Sequence, residues 1–370
     1  MQCLETSSVF PSQEIRSFDC TQDGRRFVIG TINSEIYQLS TSDLTISSNS
    51  KYQESVILRA PFAPSNNENS LMQGLDVFTQ PELAERFITC AEDNILRIWS
   101  TAQRKLMGYM PLEISDNSRD AKAKLRLTCL ALSPREDRAA VGYTTGLIKV
   151  YLELIQIVDL QHMKVSHQIE TTKAAITILR YSPDSENLAV GTRDNSLEIY
   201  STNDNKRRAA LKKYSGPVNH LDWSIDTGLI QTTSEAAELI FIESEEMKQI
   251  TTLDEFPELL NETWISQTCV YGWSVQGVWR EYMGNGNEVK MLDRSHKKFY
   301  GEYHALAAVD DFGDLRVYKY PCVQPDAQAI VARGHSSYVS NVKWTADDRH
   351  LITTGGEDNT IIIWRVEKTG

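Results

Sequence analysis

The chain has 370 residues, of which 41% are hydrophobic, and a formal net charge of −12. The length suits an all-β repeat domain with an ample core, and the acidic balance disfavours nucleic acid and anionic membranes as partners. The sequence contains no run of 18 apolar residues and no apolar leader, so it predicts neither a membrane span nor secretion. Its six cysteines are scattered without a C-x-x-C pair, which favours reduced core residues of a cytoplasmic protein.

Short alternating apolar runs, separated by turns rich in Gly, Asp and Asn, recur along the whole chain. They begin at residues 15–20, 26–30 and 35–39, and the pattern returns at intervals close to the roughly 40–45 residues of a WD repeat, lengthened by insertions. The spacing predicts an all-β fold, a seven-bladed WD40-type β-propeller with degenerate repeats, as a single domain over residues 1–370. The predicted blades are 14–60, 71–112, 126–172, 174–215, 217–280, 287–333 and 335–366. A strand at residues 3–10 is predicted to complete the last blade and close the ring.

The last unit, residues 334–366, carries the most regular version of the pattern. It begins with a Gly-His dipeptide, and a tryptophan ends its third strand six residues after a turn aspartate. In WD repeats such side chains are linked by hydrogen bonds, which satisfy polar groups that would be costly to bury alone. We therefore predict a structural tetrad of His335, Thr354, Asp358 and Trp364, rather than a metal or catalytic role for the histidine.

Motifs that carry catalytic chemistry are missing from the sequence. Asp311, Phe312 and Gly313 spell the magnesium motif of protein kinases, but neither a Gly-rich phosphate loop nor an HRD catalytic loop accompanies them. No nucleophile elbow, H-E-x-x-H motif or P-loop occurs, and the seven histidines lack metal-ligand spacing. We therefore expect a binding protein that is not an enzyme, with no cofactor, no bound metal and no small-molecule substrate.

Four segments in the last third of the chain together resemble a known family. They are TWISQTCVYGWSVQGVW at residues 263–279, Arg-Ser-His at 294–296, VDDFGDLRVYKYPC at 309–322 and GHSSYVSNV at 334–342. This combination is similar to the C-terminal propeller of the echinoderm microtubule-associated protein-like family, in which two propellers form a tandem unit. The resemblance covers about a hundred residues strongly, and the earlier blades match only in their turn patterns.

The resemblance implies a protein partner, tubulin or microtubules, and a cytoplasmic, cytoskeletal location, with the cilium and the spindle as candidate places. The alternative is a general WD40 scaffold for signalling or ubiquitin-ligase complexes, because propeller folds host many functions. Association with tubulin favours the first hypothesis. A pull-down dominated by other assemblies, with tubulin absent, favours the second.

The candidate partner-binding residues belong to two groups. The first lies in the part most like the family and comprises Trp273, Trp279, Arg294, His296, Lys297, Lys298, Asp310, Asp311 and Phe312. The second comprises Lys206, Arg207 and Arg208 on the predicted outer strand of the fourth blade. A purely structural role is the alternative for both groups. The tryptophans would then be packing residues, the aspartates would cap a turn, and the charged outer strand would be a solvated edge that resists pairing.

Overall fold

The computed structural model describes residues 15–20, 26–31, 36–40, 56–58, 71–112, 126–144, 154–170, 174–251, 259–260, 262–279, 289–299, 301–325, 327–358 and 360–367. Within these ranges the named elements are β-strands and one 3₁₀ helix, Trp273–Val278. No described helix is long and apolar enough to cross a membrane. The chain divides into two compact units, Met1–Ser70 and Leu71–Gly370.

The described residues of the unit Met1–Ser70 form an antiparallel sheet with strand order β1-β2-β3-β4. Its strands are β1 (Ile15–Cys20), β2 (Arg26–Thr31), β3 (Ile36–Ser40) and β4 (Val56–Leu58). The three longer strands coincide with the first alternating runs of the sequence, which is the pattern expected of sheet-forming segments.

The described residues of the unit Leu71–Gly370 form six antiparallel sheets, each made of strands that follow one another in the chain. The first three are β5 (Met72–Val77), β6 (Arg86–Ala91), β7 (Ile95–Ser100) and β8 (Lys105–Pro111); β9 (Arg126–Leu132), β10 (Arg138–Thr144), β11 (Leu154–Asp159) and β12 (Lys164–Glu170); and β13 (Ile176–Tyr181), β14 (Asn187–Thr192), β15 (Leu197–Ser201) and β16 (Arg207–Leu211). The others are β17 (Val218–Trp223), β18 (Leu229–Ser234), β19 (Leu239–Glu243) and β20 (Lys248–Gln249); β21 (Val289–Arg294), β22 (His304–Asp310), β23 (Asp314–Tyr320) and β24 (Ile330–Arg333); and β25 (Val339–Trp344), β26 (His350–Gly355) and β27 (Ile361–Arg365).

A bulge at the same place in every sheet of this unit marks the first strand of each blade. The register between the first and second strands skips one residue, as between Met72 and Gly74 or between Val339 and Asn341. A bulge re-aims the side chain of the extra residue. The six skipped residues all line one central cavity of about 1230 Å³, and they are Gln73, Thr128, Thr177, Asn219, Lys290 and Ser340. The six sheets are therefore blades of one propeller, arranged around that cavity.

The prediction of seven blades is wrong, because the ring closes directly between the last blade and the β5–β8 blade. The Asn341 amide on β25 donates to the Gln73 carbonyl on β5 at 3.4 Å, and the Lys343 ammonium lies 3.6 Å from the Asp76 carboxylate. Ile352 packs in one apolar cluster with Leu75, Val77, Phe87 and Trp99 of the β5–β8 blade. The sheet β1–β4 belongs to the other unit, and the predicted closing strand at residues 3–10 lies outside the described residues.

The error has a physical reason. Alternation of apolar and polar residues shows that a segment forms a strand of a sheet, but it does not show which sheets pack beside that sheet. The strands β1–β4 do form one four-stranded antiparallel sheet, as the strands of a blade do. Which sheets share a ring depends on packing between sheets, which local periodicity does not encode.

Candidate functional site

A polar network holds the last blade together, and its threonine is Thr353, not the predicted Thr354. His335 lies 3.0 Å from the Asp358 carboxylate through Nδ1 and 2.7 Å from the Thr353 hydroxyl through Nε2. The Trp364 indole N–H donates to the same hydroxyl at 2.8 Å. Trp364 pairs with Leu351, and residues two apart on a strand share a face, so Thr353 faces Trp364. Thr354 points to the other face, where its hydroxyl lies 2.9 Å from that of Ser340.

Replacing Thr353 by valine should lower the free energy of unfolding by about 1–3 kcal/mol, because it leaves the Trp364 N–H and a nitrogen of the buried His335 short of a partner. Thr354→Val is the matched control, since it loses a single hydroxyl contact in the same strand and should cost less than about 1 kcal/mol. Urea denaturation monitored by tryptophan fluorescence measures both. A larger loss in the Thr354 variant would contradict this assignment.

Two other blades keep parts of the same network. The Trp99 indole donates to the Thr89 hydroxyl at 2.8 Å in the β5–β8 blade. In the β17–β20 blade the Tyr214 hydroxyl takes the place of the histidine and lies 2.8 Å from the Thr232 hydroxyl. The sequence pattern did not identify Tyr214, although it precedes its blade by the same four residues as His335 does.

The family-like segment at residues 263–279, here called the inter-blade segment, fills the space between the β17–β20 and β21–β24 blades. Its start pairs with the end of β17, through the bridge between Trp264 and Ser224. The buried Asp222 carboxylate then accepts hydrogen bonds from the Ser266 hydroxyl at 2.6 Å and from the backbone N–H groups of Thr268 and Cys269 at 2.9 and 3.0 Å. One buried carboxylate on β17 thus anchors the segment.

The two candidate tryptophans have different environments. The Trp279 indole donates to the Val270 carbonyl at 2.8 Å, and its ring stacks on Tyr271 with centroids 5.4 Å apart. Trp279 is therefore a packing residue. Trp273 begins the 3₁₀ helix and leaves 44% of its surface exposed.

Arg294 and His296 are both engaged within the fold. The Arg294 guanidinium donates to the Trp264 carbonyl at 2.6 Å and lies 5.2 Å from the centroid of the Tyr320 ring. The Asp348 carboxylate accepts the backbone N–H groups of His296 and Lys297 at 3.0 and 2.7 Å, and it contacts the imidazole as well. These contacts hold the β21–β22 connection in place and leave the Lys297 and Lys298 side chains at the surface.

The structure separates the candidate residues of the β21–β24 blade onto two faces of the ring. In an antiparallel blade, the connection between its first two strands and the turn between its second and third emerge on opposite faces. Lys297 and Lys298 belong to the former, and Asp310, Asp311 and Phe312 to the latter. They cannot form one continuous contact surface.

The turn at Asp310 has a structural role. Its buried carboxylate accepts the backbone N–H groups of Phe312 and Asp314, both at 3.0 Å, and the Arg316 guanidinium at 2.7 Å. Gly313 adopts φ 82, a conformation that favours glycine. Asp311 lies 3.2 Å from the Lys290 ammonium, and Phe312 is 66% exposed.

The second candidate group also mixes structural and free side chains. The Arg207 guanidinium lies 2.9 Å from Glu198, a fully buried carboxylate, and so neutralises it. Arg208 donates to the Asn187 amide oxygen at 2.8 Å on the exposed surface. Lys206 is exposed in the connection between β15 and β16, and so lies on the same face as Lys297 and Lys298.

Two further cations that the sequence analysis did not single out stand beside Lys297 and Lys298. Asp348 ties the β21–β22 connection to the β25–β26 turn, which also carries Arg349, and the Val366 N–H donates to the Arg349 carbonyl at 2.8 Å. The end of β27 therefore lies next to Arg349. We call the set Lys297, Lys298, Arg349 and Arg365 the basic corner.

The basic corner is strongly exposed. The side chains of Arg349 and Arg365 are 81% and 78% exposed. Of the acids beside them, Asp348 is occupied by backbone N–H groups, and Asp347 accepts the Thr345 hydroxyl and the Arg349 N–H. Asp347 and Glu367 are the exposed acids of the group, and they lie 3.8 Å from Arg349 and 3.5 Å from Arg365. Only the fold unites these cations, because they come from the connections and ends of two different blades.

Comparison with known proteins agrees with the six-bladed unit. The family model described as "Echinoderm microtubule-associated protein second beta-propeller" matches residues 72–366, which begin at β5 and end just after β27. Echinoderm microtubule-associated protein-like 2 of Homo sapiens is 32% identical over 293 residues, which cover 78% of this chain and 41% of that protein. Echinoderm microtubule-associated protein-like 1 of Rattus norvegicus is 30% identical over 285 residues, covering 76% of this chain and 32% of that protein.

A third relative, echinoderm microtubule-associated protein-like 3 of Homo sapiens, is 29% identical over 290 residues, covering 77% of this chain and 29% of that protein. The chain thus spans less than half the length of each of these relatives. The matched region contains the inter-blade segment, the Asp310 turn and the network around His335. The chain belongs to the echinoderm microtubule-associated protein-like family.

Proposed function

We propose that the propeller is a non-catalytic platform that binds tubulin or microtubules, in the cytoplasm and on the cytoskeleton. The match of the whole six-bladed unit to a microtubule-associated family is the observation that supports this proposal most directly. Tubulin is an acidic partner, so its contact is expected at exposed cations of a chain whose own net charge is −12.

The basic corner is the contact that the geometry supports best. It combines four exposed cations on neighbouring blades, of which Arg349 and Arg365 also lie near the exposed acids Asp347 and Glu367. Hydrogen bonds to the buried Asp348 fix the backbone beneath it. Exposed charges of this kind contribute modestly to affinity at equilibrium but steer encounter, and their effect falls with added salt.

A binding role also agrees with the environments of the buried histidines and cysteines, the side chains that could act as catalytic bases or nucleophiles. His335 and His220 have polar partners at both ring nitrogens. Burial raises the pKa of the Cys129 thiol to about 12 and that of the Cys269 thiol well above its usual range. Thiols with raised pKa values are poor nucleophiles, because the thiolate is the reactive form.

Reversing both lysines of the corner, as Lys297→Glu with Lys298→Glu, should weaken tubulin binding about tenfold at low salt and less at physiological salt. Lys206→Glu with Arg208→Glu is the matched control, since it changes the charge equally on the same face and leaves the buried Arg207–Glu198 pair intact. Co-sedimentation with microtubules and co-elution with tubulin dimers measure the effect, and circular dichroism checks folding.

Four outcomes distinguish the possibilities. Loss of tubulin binding in the Lys297→Glu, Lys298→Glu variant alone supports the proposed contact. Loss of binding in the control variant alone assigns the contact to the β13–β16 blade. If neither variant changes affinity at either salt concentration, the electrostatic model of the contact is wrong. Absence of tubulin binding by the unaltered chain overturns the proposed function.

A further inference from the structure

The bulges of the six blades give a common reference for comparing their first strands. In each blade, the third residue after the skipped one occupies the same register position. These residues, here called the inner belt, are Asp76, Ala131, Arg180, Asp222, Asp293 and Lys343. All six are buried or half-buried, and five of them are charged. Charges in such positions need partners, because an unpaired charge is costly to remove from water.

The three carboxylates of the inner belt are engaged by N–H groups that follow them around the ring. Asp76 accepts the Leu132 N–H at 2.9 Å, and Asp293 accepts the Trp344 N–H at 2.7 Å, each from the first strand of the next blade. Asp222 accepts its hydrogen bonds from the inter-blade segment. The acids of the belt therefore have partners within the fold.

The two cations of the inner belt lie on opposite sides of the ring and have different neighbours. β25 lies between β21 and β5, so Lys343 has Asp293 on one side at 3.7 Å and Asp76 on the other at 3.6 Å. β13 lies between β17 and β9, so Arg180 has Asp222 on one side and Ala131 on the other. A half-turn of the ring thus superimposes the two halves of the belt except at Ala131, where the counterpart is Asp293.

Arg180 is the member of the inner belt that lacks a partner among the described residues. Its Nε is buried and has no hydrogen-bond partner there, and no described carboxylate forms an ion pair with its guanidinium. Arg180 also lines the central cavity of about 1230 Å³. Buried polar groups in native proteins nearly always have a partner, and an exception at a cavity points to a bound molecule or ion.

The positive charge of Arg180 reaches the strand that carries the alanine. Burial is the largest influence on the pKa values of Cys129 on β9, Asp222 on β17 and Asp293 on β21, and the Arg180 charge acts on all three. The guanidinium therefore lies within electrostatic range of β9 as well as of the two acids. Because the oxygens of both acids already accept other donors, they leave hydrogen-bonding capacity on Arg180 unused.

The remaining lining of the cavity limits the charge and size of a ligand. Its charged groups have both signs, with Glu92, Glu235 and Asp311 beside Arg193 and Lys290, so the cavity does not attract a polyanion. Its volume exceeds the roughly 300–1,000 Å³ of ordinary small-molecule sites. A small carboxylic acid and the C-terminal end of a peptide would both fit.

We infer that the central cavity binds a single carboxylate group, which pairs with the Arg180 guanidinium on the side of Ala131. The carboxylate takes the part that Asp293 plays beside Lys343. The resulting group of two carboxylates around one cation has the same charge balance as Asp76, Lys343 and Asp293, which the fold already contains. Arginine suits this role because its planar donors match the two oxygens of a carboxylate. The site goes beyond the proposed function, since it does not involve tubulin.

Two carboxylate probes, each with a neutral control of the same shape, test the inference on the full chain. Butyrate represents a small acid and N-acetyl-triglycine a peptide C-terminus, and their amides are the controls. At constant ionic strength, each acid should shift the Arg180 Nε–H resonance in ¹H–¹⁵N spectra, whereas the amides should not. The acids should bind at least about tenfold more tightly than their amides, because charge-assisted hydrogen bonds are about twice as strong as neutral ones.

Substitutions of the protein test the same contact through the melting temperature, which a ligand of the folded state raises. Arg180→Gln should abolish the difference between acid and amide. Arg193→Gln is the matched control, since it removes the same charge from another residue of the cavity lining and should preserve that difference.

Ala131→Asp supplies the carboxylate from the chain itself and should also abolish acid binding, whereas Ala131→Asn has the same size without the charge and should retain it. Circular dichroism checks the folding of every variant. The arginine pair decides the matter if the substitutions of the buried Ala131 disturb folding.

The outcomes identify the source of the carboxylate or overturn the inference. Binding of butyrate alone assigns the site to a small acid, and tighter binding of N-acetyl-triglycine assigns it to a peptide end. Equal binding of acids and amides, or equal binding by Arg180→Gln and the unaltered chain, would show that the guanidinium does not hold a carboxylate. Absence of binding by both acids would contradict the inference outright.

Discussion

Asp222→Asn is expected to lower the free energy of unfolding by about 3–4 kcal/mol, one of the two largest effects of single substitutions in this propeller. The carboxylate is 1% exposed and accepts hydrogen bonds from Ser266, Thr268 and Cys269 of the inter-blade segment, and from the Gln231 amide at 3.1 Å. An asparagine would direct an N–H₂ group at one set of these donors. Buried N–H groups would then lack an acceptor, and the segment would separate from β17.

Asp226→Asn is the matched control for this substitution. It removes the same charge from a nearby aspartate that accepts the Ser224 hydroxyl and the Gly228 N–H in an exposed turn, so water can replace the lost contacts. Urea denaturation should show a change below about 1 kcal/mol. Equal losses in the two variants would contradict the anchoring role of Asp222.

The effect of Asp222 should depend on pH in a defined direction. Burial opposes ionisation of this carboxyl, but hydrogen bonds from Ser266, Cys269 and Thr268 outweigh it and lower the pKa of Asp222 below its ordinary value. A lowered pKa contributes stability that is complete above the unfolded value of about 3.9 and is lost as the pH falls through the folded value. The difference between the unaltered chain and Asp222→Asn should therefore be largest at neutral pH and shrink below about pH 4.

Lys343→Met should have an effect of similar size, about 3–5 kcal/mol, because it removes the cation at the joint that closes the ring. The Lys343 ammonium lies 3.6 Å from Asp76 and 3.7 Å from Asp293, and the side chains of all three residues are largely buried. Without the lysine, the two buried carboxylates lose their shared positive partner. Hydrogen exchange should report faster opening between β25 and β5 than elsewhere in the ring.

Acid should partly rescue this variant. Burial raises the pKa of Asp293, and the Lys343 charge and the Trp344 N–H oppose that rise. A carboxyl with a raised pKa favours the folded state when protonated, and that contribution is lost as the pH rises through the folded value. Removing Lys343 should raise this pKa further, so the stability deficit of Lys343→Met should narrow as the pH is lowered.

Lys298→Met removes an equal charge from the surface and is the control for Lys343→Met, with an expected change below about 0.5 kcal/mol. Thermal and urea denaturation at pH 5 and pH 7 measure both variants. A deficit in Lys343→Met that is small or does not depend on pH would show that packing of β25 against β5 closes the ring without the ion pairs.

Several features of this protein were predictable from the sequence because they depend on local order. Alternation and turn residues identified the sheets, since a strand exposes successive side chains to opposite faces wherever it lies. The Gly-His dipeptide, the turn aspartate and the final tryptophan identified the network around His335. Within that network the threonine was misplaced by one residue, because the strand register decides which of two adjacent hydroxyls faces the tryptophan.

Which of the candidate binding residues have exposed, unengaged side chains was not predictable from the sequence in the same way. Whether a charged or aromatic side chain is free depends on partners that are distant in the chain, such as Glu198 for Arg207, Trp264 for Arg294 and Val270 for Trp279. The sequence grouped Phe312 with Lys298, and the antiparallel blade places them on opposite faces.

The number of blades and the composition of the basic corner were decided only by the tertiary structure. Six sheets close the ring because β25 packs against β5 through Lys343, Asp76 and a shared apolar cluster, contacts that join positions more than 250 residues apart. Arg349 and Arg365 join Lys297 and Lys298 because Asp348 holds two blades together. Local periodicity determines which segments become strands, but burial between sheets determines which strands become neighbours.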